Sequence, residues 1–191
     1  MNKISISSID EGQDFAKMFI EDTIPYQWNL LSLNQKSGKF VDKATHISPY
    51  MSSLLKCIPR VMKELSLWNF KINNNQFAQI VQACKDIKIL HFKFWKINSD
   101  YRIDFDETLD YKIKILNFSG TGASKRSDWK RHKHKLEHIV EAICACKLNQ
   151  SLEKVGFFYC LDKNNNIKTL FESYSASNIH ITEDYLSDSE D

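Results

Sequence analysis

Glycine and proline are scarce in this chain, with five Gly and three Pro among 191 residues. The shortage excludes a collagen-like repeat, a flexible linker and a Gly-rich disordered chain, and it argues against a fold built on many tight hairpins. Long apolar runs are missing as well. Nowhere do about 18 apolar residues stand together, and Met1 to Asp14 lacks the apolar stretch of about 7 to 15 residues that a secretory leader needs. A membrane partner is therefore not expected. A disulfide framework is not expected either. Cys57, Cys84, Cys144, Cys146 and Cys160 are odd in number and widely spread, which suits a reducing, intracellular compartment, the cytoplasm ahead of the nucleus. Arginine is sparse beside lysine, a balance that fits a solvated surface better than bidentate phosphate recognition.

What is present suffices for one core: 42% of the residues are apolar and 12% aromatic, with 26% charged. The net charge of +2 conceals a separation. Residues 183–191 hold Glu183, Asp184, Asp188, Glu190 and Asp191 without a Lys or Arg, so they read as an acidic C-terminal tail on a basic body. Within that tail Ser187 has an acid three residues on, the setting of an acid-directed phosphorylation site.

The informative pattern is an apolar spacing of one, four and six that recurs along the chain. It reads Met62, Leu65, Leu67; Ile87, Leu90, Phe92; Ile113, Leu116, Phe118; Leu152, Val155, Phe157; and Ala176, Ile179, Ile181. Successive starts are 25, 26, 39 and 24 residues apart, the longest interval containing a polar, basic insertion at residues 124–135. Helical spacing fills the gaps. Phe77, Ile80, Val81 and Cys84 give one apolar face, and Leu136, Ile139, Val140 and Ile143 give another. Upstream, Ser48 and Pro49 offer an N-cap and a first-turn proline for a helix with Met51, Leu54, Leu55 and Ile58 inside, and Pro59 ends it.

This strand and helix alternation resembles the leucine-rich repeat family, in its ribonuclease-inhibitor-like form, whose consensus is L-x-x-L-x-L-x-x-N-x-L. The ninth slot here holds Phe70, Trp95, Thr121, Cys160 and Asp184, and the eleventh holds Ile72, Ile97, Ala123, Asp162 and Leu186. Thr121 and Cys160 are substitutes the family tolerates; Phe70, Trp95 and Asp184 depart from its asparagine. The resemblance implies an α/β fold, a short solenoid of alternating strands and helices with a parallel concave sheet, over residues 47–182. Residues 1–46 would then form an N-terminal helical cap with Phe15, Met18, Phe19 and Ile20 as its buried face. An ordinary α/β domain with alternating strands and helices is the competing architecture.

Side chains alternate along a strand, so the residues between apolar slots face the concave surface. That rule nominates Trp68, Asn69, His91, Lys93, Phe94, Asn117, Phe158, Tyr159 and His180 as a partner-binding face. Aromatics among polar groups suit a protein partner, because they supply large contact area with few torsions to freeze. The expected function is a non-catalytic scaffold with no cofactor.

Other chemistry is weaker in the sequence. Gly120-Thr121-Gly122 follows a strand, but the glycines and hydroxyl of a phosphate-binding loop are missing around it, so nucleotide binding or an enzyme is only an alternative. His132, His134 and His138 with Cys144 and Cys146 lack the fixed spacings of a zinc site. Neither H-E-x-x-H nor G-x-S-x-G occurs. Lys125, Arg126, Lys130, Arg131, Lys133 and Lys135 form a basic patch around Trp129 that suits a solvated face, an import signal or nucleic acid, the last not favoured.

Overall fold

A computed structural model describes residues 3–7, 27–34, 45–68, 70–93, 96–98, 110–119, 133–158, 167–174 and 178–184. The strands are β1 (Lys3–Ser7), β2 (Trp28–Asn34), β3 (Thr45–His46), β4 (Val61–Trp68), β5 (Phe70–Asn73), β6 (Ile89–Lys93), β7 (Lys96–Asn98), β8 (Ile115–Ser119), β9 (Lys154–Phe158) and β10 (His180–Asp184). Four α-helices lie among the described residues: α1 (Met51–Cys57), α2 (Asn74–Ala83), α3 (Lys133–Ala145) and α4 (Ile167–Ser173). None of them is long and apolar enough to cross a membrane.

The architecture is mixed α/β around a seven-stranded parallel sheet in the order β1-β2-β4-β6-β8-β9-β10. The strands take their places in chain order. A doubly wound sheet reverses its order at one point and binds its ligand in the crevice that results; these seven strands contain no such reversal.

The apolar spacing explains the packing. Leu31, Leu65, Leu90, Leu116 and Val155 stand in one register row, and Leu33, Leu67, Phe92, Phe118 and Phe157 in the next, all buried. The phenylalanines stack from strand to strand, with centroids 5.6 Å apart between Phe92 and Phe118 and 5.5 Å between Phe118 and Phe157. Phe77 of α2 joins the stack against Phe92 at 5.4 Å. Ile80 and Val81 of α2 with Cys84 at its C-cap, and Ile139, Val140 and Ile143 of α3, close the same core. Each fully buried side chain of this size contributes roughly 1.5 to 3 kcal/mol.

Several expectations are corrected. The described parts of residues 1–46 are strands, not a helical cap: β1 and β2 extend the sheet, with Ile4 beside Leu31 and Ile6 beside Leu33. Phe15, Met18, Phe19 and Ile20 lie outside the described residues. Met62 is 53% exposed, because the pairing of β4 with β2 shifts just there: Trp28 faces Val61 and Leu30 faces Glu64, so Met62 and Lys63 together oppose one residue and both are exposed. Ile181 pairs with Val155 rather than Phe157, so the last strand sits two residues from its expected register, and β10 runs on through Glu183 to Asp184. Ala176 lies outside the described residues.

The ninth slot also behaves differently. Phe70 is 1% exposed and opens β5, which pairs with β3 and β7 in a second, three-stranded parallel sheet. A large ring there fills core volume and packs edge-on against Tyr50 at 5.7 Å. Ser48 caps nothing: the 3-10 turn Ser48–Tyr50 has no side-chain cap, and the Ser48 hydroxyl accepts from Gln76 Nε2 at 2.6 Å. That bond ties the start of α1's segment to the first turn of α2.

Candidate functional site

The face of the large sheet that bears the polar half of the alternation is built from three register rows. The middle row runs Ser5, Ser32, Ser66, His91, Asn117, Gly156, Thr182 across all seven strands. Toward the strand C-termini follow Ser7, Asn34, Trp68, Lys93, Ser119, Phe158 and Asp184. Toward the N-termini stand Lys3, Leu30, Glu64, Ile89, Ile115, Lys154 and His180.

At the centre the side chains lock together. Trp68 Nε1 donates to Ser66 Oγ at 2.8 Å, which pins the indole along its own strand. His91 Nε2 lies 3.2 Å from Glu64 Oε1, and His91 Nδ1 lies 3.2 Å from Asn117 Nδ2. Both contacts are satisfied at once by a neutral imidazole that carries its proton on Nε2, donates to the carboxylate and accepts from the amide. Glu64, His91 and Asn117 thus form a bridge over three neighbouring strands. With both nitrogens engaged, the ring is held as a fixed part of the surface.

Gly156 continues the row beyond Asn117. The Asn117 carboxamide and the Phe158 ring both lean over it, filling the volume a side chain would take. Asn117 Oδ1 and Thr182 Oγ1, on the strands flanking Gly156, are buried and have no hydrogen-bond partner among the described residues. A buried polar atom left unpaired costs about 1 to 3 kcal/mol, so these two atoms favour a group that hydrogen-bonds to them.

Of the residues expected on the binding face, Trp68, His91, Asn117 and Phe158 are half-buried and gathered on four adjacent strands. Lys93 takes its place between Trp68 and Ser119 in the register. His180 is exposed and on the same face, but the shifted register puts it in the row of Lys154, where it also borders an open cleft of about 390 Å³ between α4 and β10. Asn69, Phe94 and Tyr159 lie outside the described residues, as do Lys125, Arg126, Lys130, Arg131 and Gly120 to Gly122. Lys133 and Lys135 are on α3, and the positions of their side chains are not described.

Glu64, Ile89, Ile115 and Lys154 were missed, although alternation places each on the same face as a nominated position of its own strand: Ile89 and Ile115 stand two residues before His91 and Asn117, Glu64 and Lys154 four before Trp68 and Phe158. Among the described residues no group of three His, Cys, Asp or Glu is arranged to hold a metal ion. Burial pushes the Cys144 thiol up to about 11, and burial followed by the neighbouring Cys144 raises Cys146 further. Such thiols behave as core residues rather than as nucleophiles. No protein-family model, curated protein or solved structure matches this chain.

Proposed function

We propose that this chain is a scaffold of the leucine-rich-repeat type that binds a protein partner, without catalysis or cofactor, through the polar and aromatic face of its large sheet. The observation that carries the reading is the gathering of Trp68, His91, Asn117 and Phe158 on four adjacent strands, with His91 and Asn117 held in the bridge from Glu64 and Trp68 held by Ser66. Side chains fixed in this way lose little entropy when a partner docks, and Trp and Phe supply the contact area that dominates protein interfaces. The chain-ordered parallel strands and the two apolar register rows support the repeat reading, because each strand meets its neighbours through equivalent positions. Gly120 to Gly122 and residues 125–132, on which the alternative nucleotide and nucleic-acid readings rest, lie outside the described residues.

The test is affinity capture with the full chain as bait, read by quantitative mass spectrometry beside a Trp68→Ala, Phe158→Ala variant of matched folding. A protein retained by the native chain is expected to fall at least about tenfold with the variant, as loss of two aromatic anchors entails. Equal recovery of every retained protein on both baits overturns the assignment.

A further inference from the structure

On three successive strands of the large sheet, the residue just before the N-terminal open-face row is a lysine: Lys63 before Glu64, Lys88 before Ile89 and Lys114 before Ile115. Backbone hydrogen bonds hold these positions side by side. Lys88 N donates to Lys63 O at 3.1 Å, Lys114 N to Lys88 O at 2.9 Å, and Glu153 N to Lys114 O at 3.0 Å. Beside them Lys112 N donates to Lys85 O at 2.6 Å. All five lysines are exposed. Neighbouring strands lie about 4.8 Å apart, so Lys63, Lys88 and Lys114 project along a line of about 10 Å at the end of the sheet where the strands begin.

Two of these cations are already answered. Lys112 Nζ is 2.8 Å from Asp86 Oδ1, and Lys114 Nζ is 3.3 Å from Glu153 Oε1. Among the described residues Lys63 and Lys88 have no ion-pair partner. Like charges set at this spacing repel, and an added anion relieves the repulsion.

We propose that this lysine strip docks an acidic polypeptide segment, rich in Glu or Asp, of a partner protein. Carboxylates are favoured over a nucleic-acid backbone on two grounds. Asp86 and Glu153 show the strip's lysines taking carboxylates at ion-pair distance. The strip offers no guanidinium fork, and its aromatic neighbour Tyr111 is 6% exposed, so it presents no platform on which unpaired bases stack. An extended peptide repeats its side chains on one face about every 6.8 Å, and the flexible four-carbon lysine stems absorb the difference from the strand spacing. The strip shares no residue with the open-face rows or with the basic segment at residues 125–135, and its proposed occupancy rests on neither.

The experiment measures binding of fluorescein-labelled poly-L-glutamate to the full chain by anisotropy, at low and at physiological salt. A Lys63→Gln, Lys88→Gln, Lys114→Gln variant is expected to bind about tenfold more weakly, while the corresponding triple Arg variant stays within about twofold of the native chain. A third variant, with the bases of residues 125–135 changed to Gln, is expected to retain most of the binding. Thermal melts establish that each variant is folded. Undiminished binding by the triple Gln variant overturns the proposal, as does loss confined to the 125–135 variant or tighter binding of poly-uridine RNA than of poly-glutamate.

Discussion

Gly156 lies directly beneath the Asn117 carboxamide, and a Cβ at that position would collide with Asn117 Oδ1 and come within 2.6 Å of Phe158 Cε2. Both obstacles are side chains, so Gly156→Ala is accommodated by displacing them rather than the backbone. The displacement breaks the contact of Asn117 with His91 and lifts the Phe158 ring. The expected cost is about 1 to 3 kcal/mol, the range for overpacking a filled site, read from the urea midpoint. In an Asn117→Ala background the same substitution is expected to cost less. Equal cost in both backgrounds would show that the amide does not occupy the space above the glycine.

Phe118 is the middle ring of the row Phe92, Phe118, Phe157, stacked on both sides and fully buried. Phe118→Ala removes a ring that two strands share and leaves a cavity the stack cannot close from either side. The expected loss is about 3 to 5 kcal/mol, against less than about 1.5 kcal/mol for Phe118→Leu. Equilibrium denaturation of the two variants separates these values, and a loss below about 2 kcal/mol for the alanine variant would contradict the stacking argument.

The elements most legible in the sequence were those whose period sets both face and register. Leu65, Leu90, Leu116 and Val155 were placed from spacing alone, and the strand pairing aligns them. Ile179 and Ile181 were assigned two residues off because a slip of two keeps every side chain on its face, so alternation cannot detect it. The first two strands carried the same signal unread: Met1, Ile4, Ile6 and Trp28, Leu31, Leu33 both follow the one, four, six spacing. The helical pattern at residues 15–20 had claimed that region. Bridging of Glu64 to His91 to Asn117 was illegible for another reason. Those contacts run across strands about 25 residues apart, and only lateral register brings the three together.

Asp86 and Lys112 form an exposed pair whose effect is a matter of pH. The hydrogen bond from Lys112, with its charge, holds the Asp86 carboxyl below its ordinary value, and Asp86 in turn raises Lys112. A depressed carboxyl stabilises the fold above its unfolded value and loses that contribution as pH falls through the folded one; a raised ammonium loses its contribution as pH rises through its folded value. Lys112→Met is therefore expected to be less stable than the native chain at neutral pH, with the gap closing in acid as Asp86 takes up its proton. Urea midpoints of both proteins over a pH series read this directly. A gap of constant size from neutral pH down through the carboxylate range would rule the pair out as its source.

Asn73 ends β5 and caps α2, accepting from Gln76 N at 2.8 Å through its side chain while Gln76 Oε1 accepts from Asn73 N at 3.0 Å. The reciprocal bonds satisfy two of the donors that a helix leaves open at its start. Gln76 also reaches Ser48 through Nε2, so the cap joins α2 to the turn before α1. Asn73→Ala is expected to cost about 1 kcal/mol and Asn73→Asp much less, since the carboxylate accepts the same bond and favours the helix N-terminus. Gln76→Ala is expected to cost as much as or more than Asn73→Ala, because it removes the bond to Ser48 in addition to its half of the box. In an Asn73→Ala, Gln76→Ala double variant the losses should fall short of their sum, the mark of two groups acting through one motif. Strict additivity in the denaturation midpoints would mean that the two bonds form independently and that the cap is not a unit.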